Sequence, residues 1–296
     1  MDRRTFLAGL AVTLGSGCAP KREPTVGSKN FTEQLILGEL LKQYLESVCR
    51  TPVDGRFYLA GTYICQQAIS AGRIDSYVEY TGTALAAILK QQFSGNANAV
   101  YQHVKEEYKR RFNLDVMPPL GFNNSFAMVM RGDDARRLNV ETLSELAPLA
   151  PKMRLGVGYE FLERQDGYKG LVSAYGLHFQ EAPRVMDLGL LYRALGNRSV
   201  DIVAGNNTDG LIAALGLVVL EDDKHYFPPY DAVPIVRPSL FAMCASAQAA
   251  LERLGGQITA DEMRAMNYAV DGEKKDAAAV ASSFLSRHGL LVWSRS

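Results

Sequence analysis

The sequence predicts an α/β protein, and two observations carry that expectation. Beyond residue 25, short β-branched runs alternate with stretches of helical periodicity, the pattern of helices layered on a mainly parallel sheet. Two Pro-Pro breakers, Met117-Pro118-Pro119-Leu120 and Phe227-Pro228-Pro229-Tyr230, bracket a central block of the same pattern. The breakers admit two readings: two lobes joined by two crossings, or two unrelated turns.

In chain order, Thr25-Val26 reads as a strand end that runs into a Gly27-Ser28 turn. A helix follows whose apolar face is Leu35, Leu37, Leu40, Leu41, Tyr44 and Leu45, with Ser28 or Asn30 as its cap. Residues 53–59 predict a strand, 65–71 a helix, 74–78 a strand, 83–90 a helix and 97–112 a helix with a charged surface. After the first breaker comes an extended run at 122–130. The pattern then predicts a strand at 153–157, a helix at 161–175, a strand at 200–204, a helix at 209–215 and a strand at 217–220. A strand at 232–236 follows the second breaker. The remainder, 238–288, is helical, punctuated by Gly255-Gly256 and Gly272.

The 296 residues are 47% hydrophobic and 22% charged, ordinary for one or two globular domains. Lys plus Arg and Asp plus Glu are both 32, so the chain carries no net charge. With no basic stripe and no recognition motif, nucleic acid is excluded as a partner. His103, His178, His225 and His288 are scattered, and no zincin, nucleophile-elbow, P-loop or dinucleotide motif occurs. The sequence therefore predicts neither an enzyme nor a bound cofactor or metal.

Residues 1–20 have the order of an export leader. Arg3 and Arg4 precede an apolar stretch at 6–14 that is too short to span a bilayer. Asp2-Arg3-Arg4-Thr5-Phe6-Leu7 looks like a twin-arginine signal. Leu14-Gly15-Ser16-Gly17-Cys18 resembles a bacterial lipoprotein cleavage site, with Gly15 where a larger aliphatic residue is usual. Export to the periplasm or the outer face of the cytoplasmic membrane is expected, with a lipid anchor if Cys18 is acylated. Cys49, Cys65 and Cys244 are expected as unpaired buried thiols, with a Cys49–Cys65 bridge as the alternative in an oxidising compartment.

The chemistry concentrates at Gly27-Ser28-Lys29-Asn30-Phe31-Thr32-Glu33-Gln34. A helix N-terminus offers unpaired N–H groups and partial positive charge, and Lys29 at that seam suits a carboxylate. Further blocks are Glu79-Tyr80-Thr81-Gly82-Thr83, Gly121-Phe122-Asn123-Asn124 and Glu160-Phe161-Leu162-Glu163-Arg164-Gln165-Asp166-Gly167. Thr208-Asp209-Gly210 and Asp222-Asp223-Lys224-His225-Tyr226-Phe227-Pro228-Pro229-Tyr230-Asp231 complete the set. With these blocks in this order, the chain resembles the substrate-binding proteins of osmoprotectant ABC importers, which take glycine betaine, carnitine, choline and related compounds. The resemblance covers nearly all of the chain after residue 25.

The resemblance implies a two-lobed type II periplasmic-binding-protein fold with two interlobe crossings. Lobe 1 would comprise 25–119 and 227–296, and lobe 2 would comprise 120–226. It also implies an ABC permease and its ATPase as partners and a small zwitterion as ligand. Lys29, Thr83 and Arg164 match positions that hold the ligand's carboxylate. Tyr80, Phe126 and Tyr230 match an aromatic cage for the cationic head, and Glu160 an acidic position near its methyl groups. A quaternary ammonium has no N–H to donate, so ring faces attract it without needing a donor. Asn206 departs from the pattern, because an aromatic commonly stands there. Loss of one wall would cost ~0.5–2 kcal/mol; Tyr192 or Tyr159 would have to fill the gap. The expected ligand is a betaine zwitterion, with a larger amino-acid-derived betaine or a choline-like ligand as the alternative. A third class, an interaction lipoprotein that has lost its ligand, is opposed by Lys29 and Arg164.

Overall fold

The computed structural model describes residues 22–91 and 96–291. The leader at 1–20 and its Cys18 lie outside the described residues. Among the described residues, ten strands form two sheets of five. The first contains β1 (Thr25–Gly27), β2 (Asp54–Arg56), β3 (Ser76–Tyr80) and β4 (Asp115–Val116). The chain then builds β5 (Phe126–Arg131), β6 (Leu155–Val157), β7 (Arg184–Val185), β8 (Ile202–Asn206) and β9 (Leu217–Val219), before returning as β10 (Ala232–Val236). The orders are β2-β1-β3-β10-β4 and β7-β6-β8-β5-β9.

The sheets are mixed rather than mainly parallel. β1 runs parallel to β2 and β3, and β6 parallel to β7 and β8. β10 is antiparallel to both its neighbours, as is β5. Both odd strands enter straight from a crossing, without the helical crossover that parallel pairing requires. The two crossings also pair with each other: Asn123 bridges Asp231, and the Asn124 N–H donates to the Tyr230 carbonyl at 3.0 Å.

Each sheet is covered on both faces, and strand alternation divides its side chains between two cores. In β10, Ala232 and Val236 join one core while Val233 and Ile235 join the other. In β5, Met128 and Met130 face one side, and Ala127 and Val129 the opposite side. The apolar stripe of α1 (Thr32–Cys49), with Leu37, Leu40, Leu41, Tyr44 and Leu45 buried, packs in one cluster with Leu251, Phe284 and Leu285 of the C-terminal helices. Fully burying such a leucine is worth ~1.5–3 kcal/mol.

That packing corrects the cysteine expectation. Cys49 ends α1 and Cys244 follows the Pro238–Met243 helix; they form a disulfide across 195 residues of sequence. Among the described residues Cys65 is the free thiol, and it is fully buried. Spacing along the chain gave no sign of this pairing, because the docking of the C-terminal helices on α1 creates it.

Two helices also differ from expectation. α1 begins after Phe31 with no side-chain cap. Ser28 instead accepts the Tyr58 N–H through its hydroxyl at 3.1 Å. The helix expected over 161–175 is two helices, Tyr159–Glu163 and Tyr168–Tyr175. Between them the backbone of Arg164 is extended. Gly167 lies so close to the Phe161 carbonyl oxygen that a Cβ there would stand 2.0 Å from it.

Candidate functional site

A cavity of about 520 Å³ opens between the two sheets. Lys29, Tyr80 and Thr83 reach it from the elements of the first sheet, and Tyr230 from the returning crossing. Phe126, Glu160, Arg164 and Asn206 reach it from the second. The structure thus brings all the predicted ligand-site residues around one space.

Lys29 sits in the turn between β1 and α1 and is buried. Its ammonium pairs with Glu79, itself fully buried, and lies 4.8 Å from the centre of the Tyr80 ring. Glu79 also accepts the Tyr80 N–H at 2.8 Å. Strand alternation sends Glu79 and Tyr80 to opposite faces of β3, and the helical turn at Thr81–Thr83 begins immediately afterwards. Thr83 is buried at the junction with a π-helical turn, Ala84–Leu89, and makes no capping bond there.

Arg164 occupies the break between two helices and is likewise buried. It grips Asp166 with both arms of its guanidinium; the Nε bond is 2.8 Å. The group lies 4.7 Å from the Phe126 ring centre and 5.9 Å from that of Tyr230. The Tyr230 hydroxyl donates to Asp166 at 2.6 Å. Burial works against the arginine's charge, but Asp166 outweighs it and holds the guanidinium above its ordinary value. Burial also pushes the phenols of Tyr80 and Tyr230 well up, so both remain donors.

Phe126 and Asn206 are direct cross-strand partners in β5 and β8. Phe126 packs edge-on against Phe161 and Tyr230, at 4.9 and 5.9 Å. The position beside it on the same sheet face is therefore an amide. Tyr192 does not replace the missing ring. It is buried, and its hydroxyl is committed to Asp209, which also accepts the Asn206 N–H at 3.0 Å. Tyr159 does line the cavity, at its exposed mouth.

Glu160 lines the cavity too, with its carboxylate engaged across the mouth. Its Oε1 accepts the backbone N–H of Thr62 at 2.6 Å.

Several acids and amides at the site escaped the sequence reading. Glu33, in the first turn of α1, is fully buried and accepts four side chains. These are the Tyr80 hydroxyl (2.6 Å), Asn124 (2.8 Å), Thr208 (2.6 Å) and Asn267 (3.0 Å). Burial raises its pKa, while those four donors work in the opposite direction. Thr208 belongs to the second lobe's β8 loop, so Glu33 ties the lobes behind the cavity. Glu79 and Asp166 were missed as the partners of the cations. The available signal was proximity within the motifs: Glu79 adjoins Tyr80, and Asp166 stands two residues from Arg164.

The site therefore presents both signs of charge: Lys29 and Arg164 are each paired with a carboxylate from its own side, and Glu33 and Glu160 are further acids around the same space. Such a cavity fits a molecule that itself carries both charges.

The family model described as the substrate-binding domain of ABC-type glycine betaine transport systems matches residues 24–287. The chain is 35% identical over 266 residues to a Helicobacter pylori protein named ergothioneine transport permease/ergothioneine binding protein EgtU. That match covers 90% of this chain but 47% of the relative, so the chain spans about half of that protein's length. It is 31% identical over 276 residues to the carnitine transport binding protein OpuCC of Listeria monocytogenes, covering 93% and 89% of the two chains. A crystal structure described as a glycine betaine/carnitine/choline ABC transporter superposes with a TM-score of 0.75 at 30% identity, covering 91% of this chain and all of that one.

Proposed function

The chain belongs to the family of substrate-binding domains of ABC-type glycine betaine transport systems, and from that premise we propose a function for its cavity. The protein captures a quaternary ammonium zwitterion such as glycine betaine between its lobes and delivers it to a membrane permease driven by a cytoplasmic ATPase. The observation that carries this reading is one buried cation from each lobe lining the same cavity.

In this reading Lys29, Arg164 and the Thr83 hydroxyl hold the carboxylate. Glu79 takes one of the three ammonium donors, leaving the others to turn towards an acid group. The methylated head lies against Tyr80, Phe126 and Tyr230, with Asn206 as the remaining wall. Phe31, stacked on Tyr80 at 6.5 Å, extends the ring surface towards the mouth. The protein works outside the cytoplasm, held to the membrane by acylated Cys18. The Cys49–Cys244 disulfide supports an oxidising compartment. Among the described residues no helix is long and apolar enough to cross a membrane.

A second reading, a larger amino-acid-derived betaine, is favoured by Asn206 together with the cavity's size. Its volume of about 520 Å³ lies within the range of pockets for drug-sized ligands, roughly 300–1,000 Å³. The amide would then bond to a polar group on the ligand rather than wall off methyl groups.

A thermal-shift screen tests both readings, since a bound ligand stabilises by about 2.7 kcal/mol at one hundred times its Kd. The screen takes glycine betaine, proline betaine, carnitine, choline, larger trimethylated amino acids and ergothioneine. A rise in Tm with betaines exceeding that with choline supports the proposal, and the best ligand decides between the readings. No shift with any of them overturns it. Intact-mass analysis of the exported protein reads the state of Cys18: an unmodified Cys18 in a product cut elsewhere overturns the anchor.

A further inference from the structure

We infer that Glu160 is a closure latch, a positioning residue that sets ligand affinity by joining the two lobes across the cleft mouth. The inference rests on the binding function proposed above and gives that same site its closing contact. Glu160 lies on the short Tyr159–Glu163 helix, immediately after β6 of the second lobe. Its Oε1 accepts the N–H of Thr62, the first residue of the Thr62–Ser70 helix in the first lobe.

Three observations make this a built contact. First, the first N–H groups of a helix have no partner within it. The N-cap here is Gly61, which has no side chain to offer. The second lobe's carboxylate supplies the missing cap, with the favourable charge for a helix N-terminus. Secondly, Thr62 is buried where the two lobes meet, and its N–H finds its partner there in Glu160. Thirdly, the Glu160 carboxylate occupies the space that a side chain at position 61 would take. The φ of −103° and ψ of −161° at Gly61 are extended backbone open to any residue. A Cβ there would stand 2.0 Å from Glu160 Oε1 and 2.6 Å from its carboxyl carbon. The chain thus leaves room for the incoming carboxylate at the point where it docks.

The bond forms only when the lobes are together, because its donor and acceptor belong to different lobes. It therefore favours the closed population whatever the ligand, and its loss lowers apparent affinity by shrinking the fraction of molecules that can hold ligand. Glu160 then acts on binding through Thr62, with no requirement for a ligand contact.

The test combines calorimetric titration with glycine betaine and small-angle scattering, on the wild type, Gly61→Ala, Glu160→Ala, Glu160→Gln and the Gly61→Ala/Glu160→Ala double variant. Gly61→Ala is expected to weaken binding about tenfold or more and to enlarge the scattering radius, because the new methyl meets the carboxylate. Glu160→Ala weakens binding as well, while Glu160→Gln, which keeps an acceptor oxygen, is intermediate. In the Glu160→Ala background Gly61→Ala adds little, since the obstructed group has gone. Gly61→Ala with wild-type affinity and radius would overturn the latch, as would full additivity of the two substitutions. Circular dichroism checks that each variant folds. If the wild type binds no betaine, the parent reading fails, and the radii alone judge the latch: Gly61→Ala must expand the protein only where Glu160 is present.

Discussion

Lys29 on the first lobe and Arg164 on the second are both buried, both paired with a carboxylate of their own lobe and both laid against a ring. They are held to different degrees. Lys29 makes one bond to Glu79 and one ring contact, and its ammonium can swivel. Arg164 makes a two-pronged bond to Asp166, lies against Phe126 and Tyr230, and shares Asp166 with the Tyr230 hydroxyl. A planar fork with two fixed bonds cannot turn without breaking them, whereas an ammonium behaves as a point charge. Arg164 is therefore the pre-set cation, held by Asp166 of its own lobe and by Tyr230 of the first, and Lys29 is the cation that adjusts.

The sharpest way to break this comparison is to remove each cation. Arg164→Ala strands Asp166 in a buried position and should cost ~3–5 kcal/mol of stability, the usual result of removing one partner of a buried pair. It should also raise the Kd for glycine betaine by more than tenfold, as loss of bonds to a charged group is worth ~1.5–3 kcal/mol. Lys29→Ala should cost less on both counts. Urea denaturation and calorimetry measure the two quantities, and the opposite ranking would refute the division into a pre-set and an adjustable cation.

Next in size comes the tie behind the cavity. Glu33→Gln replaces a four-way acceptor by an amide with one acceptor oxygen, leaving buried donors unpaired at ~1–3 kcal/mol. Tyr80 loses its anchor in the same step, so affinity should fall together with stability. A variant that loses stability at full affinity would show that Glu33 does not position Tyr80.

The reach of the sequence can be judged from these same residues. β10 is legible because 232–236 is a β-branched run set off by a Pro-Pro breaker. The face of α1 is legible because its leucines recur at helical spacing. The predicted ligand-site residues line the cavity because the family resemblance assigned each of them to a matching position. What sequence misses is what depends on distant packing. Glu33 looks like an ordinary acidic residue in a first turn until Thr208 and Asn267 arrive from remote segments. Cys49 and Cys244 meet only once the C-terminal helices dock on α1. The break at Arg164 follows from Gly167 seating against the Phe161 carbonyl, a contact that helical periodicity does not register.

A smaller effect sharpens the comparison from the second lobe's side. Asn206→Tyr places a ring beside Phe126 on the same sheet face and should tighten glycine betaine by ~0.5–2 kcal/mol. If calorimetry shows weaker binding instead, the amide itself touches the ligand, as the second reading requires.

A separate prediction is a slope of stability against pH. Burial pushes the Asp209 carboxyl from its ordinary 3.8 to about 7, with the charges of Glu33 and Asp271 adding to the rise against the hydrogen bonds from Tyr192 and Asn206. A folded-state pKa above the unfolded value means that the folded protein holds the extra proton. The stability this confers is complete below the unfolded pKa and is lost as pH rises through the folded one. The difference in unfolding free energy between wild type and Asp209→Asn should therefore drift against the wild type from about pH 4 to pH 7 and level off above. A flat difference across that range would show that Asp209 is ionised throughout.

The most direct test of the account is a crystal structure with glycine betaine bound. In it the carboxylate oxygens should lie within about 3 Å of both the Lys29 ammonium and the Arg164 guanidinium, with the methyl groups against Tyr80, Phe126 and Tyr230. A carboxylate that contacts neither cation, or a ligand seated outside this cavity, would contradict it.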